Sequence, residues 1–236
     1  STQLGAYYRD MDATYEKATP KSYEEHDLHE RKKGLVLRQT IRFPESNTLR
    51  FGAGYAEWDN PTGKLYYIGM ERREEEYSLF LQDEWTVLPD RLTVDAGVRW
   101  DRIYLKNGVL ANGPKFVAGK PVAVTDVWEE PAVSWSVGAN LRLTERQNCT
   151  ARLAVSEQSV GSNTISKSGA SLEGPQGTRA EFGYHICVSP RLDLTVTGFW
   201  TTIRNGLVYD GPVGISGGTY ASWINADLER MGVEAV

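Results

Sequence analysis

The chain has 236 residues, of which 24% are charged, with a formal net charge of −5 and no block of basic residues. This balance excludes an electropositive nucleic-acid surface, so we expect no nucleic-acid partner. The mean hydropathy of −0.43 is typical of a soluble protein, and no apolar run is long enough for a membrane helix. A transmembrane β-barrel remains compatible with both values, because only alternate residues of its strands contact lipid.

Alternation of apolar and polar residues predicts about ten β-strands and no helix. Most of these segments are longer than the five or six residues of an average strand, and they have the length that a tilted strand needs to cross a bilayer. In chain order, the predicted strands cover residues 2–10, 30–43, 48–58, 71–88, 91–105, 132–143, 149–160, 178–188, 192–204 and 221–236.

The fifth predicted strand, "RLTVDAGVRWDRIYL", shows the alternation most clearly. Side chains of successive residues in a strand point to opposite faces, so its apolar and polar residues form two unlike faces. The apolar face, which we expect to contact hydrocarbon, contains Leu92, Val94, Val98 and Trp100. The polar face, which we expect to line a lumen, contains Thr93, Asp95, Arg99 and Asp101.

The links between the predicted strands alternate in length. The second, fourth, sixth and eighth strands are followed by the short turn sequences "PESN", "LPD", "TERQN" and "SPR". The other strands are followed by longer segments, beginning with "MDATYEKATPKSYEEHDLH", which we predict to be a loop. An antiparallel up-and-down barrel in an outer membrane sorts its links in this way, whereas a Greek-key sandwich does not.

The large aromatic residues of the apolar face concentrate near the strand ends. This distribution predicts two girdles at the membrane interfaces, where an amphipathic ring is stable. The upper girdle is predicted to contain Tyr55, Tyr77, Trp100, Tyr104, Trp135 and Trp200, and the lower girdle Phe43 and Trp85.

The chain shows no nucleophile elbow, phosphate-binding glycine loop or zinc-protease motif. The stretch "YEEHDLHE" places His26 and His29 among carboxylates that could bind a metal ion, but a solvated loop explains the same composition. Cys149 and Cys187 are predicted to point to opposite faces as free thiols. We therefore expect no catalytic residue, no metal and no cofactor.

The stretch "EEYSLFLQDEWTVLPDRLTVDAGVRWD", residues 75–101, resembles adjacent barrel strands of TonB-dependent outer-membrane receptors. The later stretches "LEGPQGTRAEFGYHICVSPRLDLTVTGFWTTIRNGLV" and "INADLERMGVEAV" are similar to a later part of the same barrels. The matching residues of the first stretch are Phe80, Gln82, Asp83, Glu84, Trp85, Leu92, Thr93, Gly97, Arg99 and Asp101.

The resemblance implies an all-β chain whose strands form part of a 22-stranded, plugged barrel in the bacterial outer membrane. Residues 1–236 would be a middle portion of that barrel domain, without the plug domain and the C-terminal strands. The parent protein would import a scarce nutrient, such as a ferric siderophore or cobalamin, with energy from the TonB complex. Contact with TonB would use the absent N-terminal region, and the chain would not be an enzyme.

In a receptor of this kind, the upper loops and the upper lumen would contact the ligand. The expected ligand-binding residues are Tyr66, Tyr67, Arg99, Asp101, Trp128 and Tyr209. An alternative role for the inward polar residues is a cross-strand network that satisfies buried charge. That network would contain Gln82, Glu84, Arg99, Asp101 and Arg142.

Two other functions remain open from the sequence. The chain could be a complete small outer-membrane barrel with protease-like or lipase-like activity, for which His26 with Asp27 or Asp10 is the sole prospect. It could also be a soluble all-β carbohydrate-binding module. In that case a second protein layer would cover the apolar face.

Overall fold

The computed structural model describes residues 1–19, 22–44, 47–61, 72–109, 116–117, 120–121, 123–160, 166–168, 172–189, 191–215 and 218–236. The side chains of residues 15–28, 109, 116–124 and 213–221 lie outside this description. The two tyrosines predicted for an upper loop, Tyr66 and Tyr67, also fall outside the described residues.

Thirteen strands account for nearly all of the described chain. They are β1 (Thr2–Thr19), β2 (Ser22–Arg42), β3 (Asn47–Asn60), β4 (Arg72–Leu88), β5 (Leu92–Val109), β6 (Phe116–Val117), β7 (Lys120–Pro121), β8 (Ala123–Trp128), β9 (Ala132–Thr144), β10 (Gln147–Glu157), β11 (Gln176–Ser189), β12 (Leu192–Ile215) and β13 (Gly218–Ala235). The described part of the chain contains no helix that could cross a membrane.

Ten strands form one antiparallel meander in the order β1-β2-β3-β4-β5-β9-β10-β11-β12-β13. The short strand β8 pairs with the far end of β5, and β6 pairs only with β7. Apart from these short strands, each strand is bonded to the strands before and after it in the sequence. This arrangement confirms the predicted up-and-down, all-β architecture.

The register separates the side chains into the two predicted faces. Directly paired residues share a face, and the pairs Leu37 with Ala53, Ala53 with Leu79, and Leu79 with Trp100 form one apolar row across four strands. The row of the opposite face is polar or small apart from Phe80, and contains Arg38, Gly52, Phe80, Arg99 and Ser134.

The apolar face is open. Leu79 is 55% exposed, Val98 43%, Trp135 42% and Phe182 58%, so no second layer of the described chain covers them. Only four described hydrophobic residues are buried: Leu105, Ala132, Val160 and Leu172. An apolar surface of this extent requires an apolar environment outside the chain, which contradicts the soluble-sandwich interpretation.

Four short links join the strands at one end of the sheet, as the turn sequences predict. They cover residues 43–46, 89–91, 145–146 and 190–191. In the second of these turns Arg91 N donates to Leu88 O at 3.0 Å, and Asp90 has a φ of 57°. Aspartate tolerates this left-handed conformation better than most residues, so the turn sequence suits the backbone.

The prediction of long loops at the opposite end is wrong for two of the five links. The segment from Met11 to His29 belongs largely to β1 and β2, whose pairing continues to Thr19 opposite Ser22. Likewise, β12 and β13 pair up to Ile215 opposite Gly218. Polar residues occur at both parities in these extensions. The extensions therefore lack the one-sided apolar pattern on which strand prediction depends.

Candidate functional site

Arg99 and Asp101 lie on the polar face of β5, two residues apart, and form a bidentate ion pair. Arg99 Nη2 is 2.6 Å from Asp101 Oδ1, and Arg99 Nε donates to Asp101 Oδ2 at 2.7 Å. A solvent-exposed ion pair such as this one is only weakly stabilising. A bound ligand could therefore compete for either partner.

A hollow of about 750 Å³ lies on the polar face, lined by residues of β1 to β5, β9 and β10. Its charged lining residues are four arginines from four strands, and no described aspartate or glutamate lines it. Hydroxyl and amide groups complete the polar lining, including those of Thr40, Gln82, Ser134, Ser136 and Ser156. Such a lining would stabilise anionic groups, because guanidinium ions bind carboxylates and related oxyanions in a forked geometry. The four arginines are Arg38, Arg50, Arg99 and Arg152.

Two of these arginines are partly neutralised from outside the hollow. Arg50 Nη1 is 3.3 Å from Glu84 Oε2, and Arg99 pairs with Asp101. Arg38 instead stacks on an aromatic ring, with its guanidinium carbon 6.0 Å from the ring centre of Phe80. The hollow thus combines paired cations with a guanidinium held by a cation–π contact.

Phe80 occupies its place because the residue opposite it on β3 is Gly52. A Cβ atom on Gly52 would lie 2.6 Å from Cε1 of Phe80 and 2.1 Å from the carbonyl oxygen of Leu37. Glycine therefore lets the ring lie close to the backbone of the wall. The same relation holds between Gly232 and Phe199, on which the Arg230 guanidinium stacks at 5.2 Å.

A row of aromatic rings crosses the opposite, apolar face. The ring centres of Tyr55 and Tyr77 are 5.3 Å apart, those of Tyr77 and Trp128 5.5 Å, and those of Trp128 and Tyr104 4.8 Å. Trp128 pairs directly with Tyr104 and carries the Arg102 guanidinium over its ring at 4.8 Å. The structure therefore places Trp128 on the apolar face, whereas the ligand contact expected of it lies in the upper loops or the upper lumen.

The tyrosines of this row mark a change from apolar to charged residues. Tyr55 donates to Glu57 Oε2 at 3.0 Å, and Tyr77 donates to Glu75 Oε2 at 2.7 Å. Beyond the row, a charged band on the same face contains ion pairs between Lys33 and Glu57, Arg73 and Glu57, and Lys106 and Glu75. A tyrosine at a membrane interface is expected to place its ring towards the apolar residues and its hydroxyl towards the charged residues.

The sequence model of the family described as "TonB dependent receptor-like, beta-barrel" matches residues 1–236. The chain belongs to this family. Members are outer-membrane transporters rather than enzymes, so neither the small-barrel enzyme nor the soluble carbohydrate-binding module agrees with the family. A comparison with curated protein sequences finds no match.

Solved structures of TonB-dependent receptors have the same fold. The chain is similar to the structure titled "Copper transporter OprC", with a TM-score of 0.77, 16% identity and coverage of 99% of this chain and 40% of that one. It is also similar to the hemophore receptor HasR of Serratia marcescens, with a TM-score of 0.68, 17% identity and coverage of 99% and 42%. The chain thus spans about 40% of the length of these receptors.

Among the other ligand contacts expected of the receptor, Tyr209 lies in the far part of β12, between two irregularities of the β12–β13 register. Its ring meets that of Trp223 edge-on at 5.9 Å, and it does not line the arginine hollow. Tyr209 and Trp128 are therefore not brought together with Arg99 and Asp101 into one described site.

The structure reveals two receptor residues that the sequence did not single out, Arg38 and Arg152. Both occupy inward positions of strands that the alternation predicts correctly. Parity alone could have placed them on the polar face, but only the register shows that they surround the same hollow as Arg99. The predicted network is seen in part, because Gln82 lines the hollow and Glu84 binds Arg50, whereas Arg142 lines a separate cavity near the short turns.

That separate cavity also contains His185 and Cys187 of the receptor wall. His185 Nε2 is 3.7 Å from Asp193 Oδ1, so the Asp193 carboxylate is a sufficient partner for this imidazole. Both Cys149 and Cys187 are free, as predicted, and the pairing of Cys149 with Leu141 and of Cys187 with Asp193 assigns them to opposite faces.

His29 does not lie in a solvated loop, contrary to the sequence interpretation. It belongs to β2 directly opposite Asp12 of β1, and one ligand atom from each of Asp10, Asp12 and His29 lies within 4.8 Å of the others. The hydrogen bond with Asp12 raises the pKa of His29. The side chain of His26 lies outside the described residues.

Proposed function

We propose that the chain is part of a 22-stranded outer-membrane barrel that actively imports a scarce, chelated nutrient, such as a ferric siderophore or cobalamin, with energy from TonB. The single observation that carries this proposal is the arginine-lined hollow on the polar face of a sheet whose opposite face is apolar. A wall that is apolar outside and cationic inside suits a transporter lumen. The remaining strands, the plug and the TonB-binding region belong to the rest of the protein.

The dimensions of the apolar face support a transmembrane position in the bacterial outer membrane. Along β4, eight residues separate Tyr77 of the aromatic row from Trp85 near the turns, about 26 Å at about 3.3 Å per residue. A tilt of about 40° reduces this length to about 20 Å, close to the roughly 25 Å apolar band of outer-membrane barrels. Trp85 and Val94 are directly paired at that lower boundary.

The charge of the hollow favours an anionic substrate within the proposed nutrient class. The four arginines, two of them partly neutralised by Glu84 and Asp101, would attract a chelate that carries ionised oxygen ligands more strongly than a neutral one. The titles of similar structures name different cargoes, including heme with a hemophore, alcaligin and copper. The preference for an anionic chelate such as a ferric siderophore therefore rests on the arginine-lined hollow of this chain.

Arg99 and Asp101 are proposed to line the substrate route, Arg99 in the hollow and Asp101 beside it. Tyr209, together with Tyr66 and Tyr67, is proposed to contact the ligand nearer the extracellular side, where aromatic side chains supply rigid contact area. Trp128 is assigned instead to the membrane boundary, because it packs among the tyrosines of the apolar face.

Uptake by the full-length receptor tests this function. Cells that depend on this receptor would be supplied with radiolabelled ferric siderophores, each differing in net charge, and initial uptake would be measured. We expect Arg152→Glu and Arg38→Glu to reduce uptake of the anionic cargo at least tenfold, because each places a carboxylate in the hollow. Arg191→Glu, in an exposed turn outside the hollow, is the matched control and should leave uptake within twofold.

Surface abundance and heat-modifiable migration must be equal for all variants, so that a folding defect is not scored as a transport defect. Unchanged uptake in both hollow variants would contradict the proposed route. Equal transport of neutral and anionic chelates by the wild type would contradict the substrate class while leaving transport itself supported.

A further inference from the structure

Three metal-ligating side chains meet on the outer surface of the β1–β2 hairpin. Asp10 and Asp12 lie two residues apart and therefore share a face of β1, and His29 of β2 is directly opposite Asp12. The pairing of Tyr8 with Lys33 and of Lys33 with Glu57 places this face on the same side of the sheet as the charged band, beyond the aromatic row. The cluster is thus on the opposite face from the arginine hollow.

The geometry of the cluster is close to that of a coordination shell. One ligand atom from each side chain lies within 4.8 Å of the other two. His29 Nε2 is 3.7 Å from Asp10 Oδ1, and His29 Nδ1 contacts Asp12 Oδ1. Bonds of about 2.1 Å place two tetrahedral ligands about 3.4 Å apart, so side-chain rotations that bring both carboxylates to one nitrogen of His29 would surround an ion.

A fourth residue already orients one of the carboxylates. Tyr8 donates its hydroxyl to Asp10 Oδ2 at 3.0 Å, while Asp10 Oδ1 faces His29. Hydrogen bonds of this kind fix the direction of a metal ligand and are characteristic of its outer shell. Tyr8 is not itself a ligand, and its hydroxyl holds the Asp10 carboxylate from outside the cluster.

The charges around the cluster also favour a dication. The two nearest cations of β2 are engaged by other carboxylates, since Arg31 pairs with Asp59, and Lys33 Nζ is 3.2 Å from Glu57 Oε1. A dication between Asp10 and Asp12 would therefore meet cations that other carboxylates already partly neutralise.

We propose that Asp10, Asp12 and His29 form a site for a divalent transition-metal ion of the Zn²⁺ type, completed by water. Two carboxylates and one imidazole match the ligand preference of such ions, whereas calcium and magnesium sites are built from oxygen alone. The ion cross-links β1 to β2 where the hairpin leaves the membrane. Because the site is on the outer face, it is separate from the substrate route and does not depend on the proposed transport function.

Equilibrium dialysis of the full-length receptor against Zn²⁺ tests the site. The receptor would be purified in detergent, freed of metal with a chelator, dialysed, and its bound zinc measured by mass spectrometry. We expect His29→Gln and Asp12→Asn to bind one zinc ion fewer than the wild type at micromolar free zinc. Tyr8→Phe should retain the ion with about tenfold weaker affinity, because it removes only the orienting hydrogen bond.

His185→Gln is the matched control, because His185 has a single carboxylate neighbour, Asp193, on the other face. It should bind as much zinc as the wild type. The proposal is overturned if wild type, Asp12→Asn and His29→Gln bind the same number of ions with the same affinity, or if His185→Gln loses the ion instead. Asp12 is an exposed side chain, so its variant keeps the test decisive even if His29→Gln fails to fold.

Discussion

At the residue scale, the inner wall depends on glycines that lie beside aromatic rings on neighbouring strands. Gly34 lies beside Tyr7, Gly52 beside Phe80, and Gly232 beside Phe199; in each case a Cβ atom would fall within 3 Å of the ring. None of these three glycines has a positive φ. Their role is close approach and not an unusual backbone conformation.

Gly52→Ala tests this role. The added methyl group would collide with the Leu37 carbonyl and with Phe80, so we expect a loss of about 1–3 kcal/mol in the free energy of unfolding, the usual cost of overpacking. Gly5→Ala, on the same face of the sheet but with no atom within 4 Å of the new Cβ, should change stability by less than about 0.5 kcal/mol. Equilibrium unfolding of the full-length receptor in detergent with urea measures both; equal effects would contradict the packing argument.

At the element scale, the long first hairpin is the feature that sequence reasoning missed. Its charged residues occur at both parities, so no periodic signal distinguishes paired strands from a solvated loop. Pairing is nevertheless favourable there, because the backbone groups bond across the hairpin. The register continues without an irregularity from Thr2 opposite Gln39 to Thr19 opposite Ser22.

A cross-link tests the register of that hairpin. In a full-length receptor whose Cys149 and Cys187 are replaced by serine, Met11→Cys with Glu30→Cys should form a disulfide under mild oxidation, because the two residues are directly paired. Met11→Cys with His26→Cys is the control, since its second position lies four residues away along β2, about 13 Å. Mass spectrometry after digestion reports both; efficient cross-linking of the control pair would indicate a mobile loop.

The central strands were predictable because membrane and lumen impose opposite demands on neighbouring residues. The predicted strand over residues 91–105 is observed as Leu92–Val109, and the four tight turns lie where their sequences place them. The sequence could not assign Trp128 to a face, because it lies on β8, a six-residue strand without a clear alternation of its own. The arginine hollow also escaped prediction, since only the register brings Arg38 and Arg152 to the same place as Arg99.

At the scale of the whole molecule, the chain is a wall and not a closed cylinder. The eleven-stranded sheet has β1 and β13 at its two ends, and the described strands do not pair these two with each other. Unpaired edges and an open apolar face promote association with other chains. We expect residues 1–236, expressed without the rest of the receptor, to aggregate in aqueous buffer, whereas the full-length receptor remains monodisperse in detergent; size-exclusion chromatography distinguishes the two results.

The account depends above all on which material touches the apolar face. Spin labels would be placed on three neighbouring pairs of residues in the full-length receptor, reconstituted in lipid bilayers, and their collision rates with oxygen and with a water-soluble nickel chelate measured. The pairs are Leu81 with Gln82, Val98 with Arg99, and Val137 with Ser136. We predict that the first label of every pair collides frequently with oxygen and rarely with nickel, because it faces acyl chains. The second label of each pair faces the lumen and should not show this pattern of collisions. Labels at Leu81, Val98 and Val137 that are shielded from both reagents would reveal a covering protein layer and contradict the account.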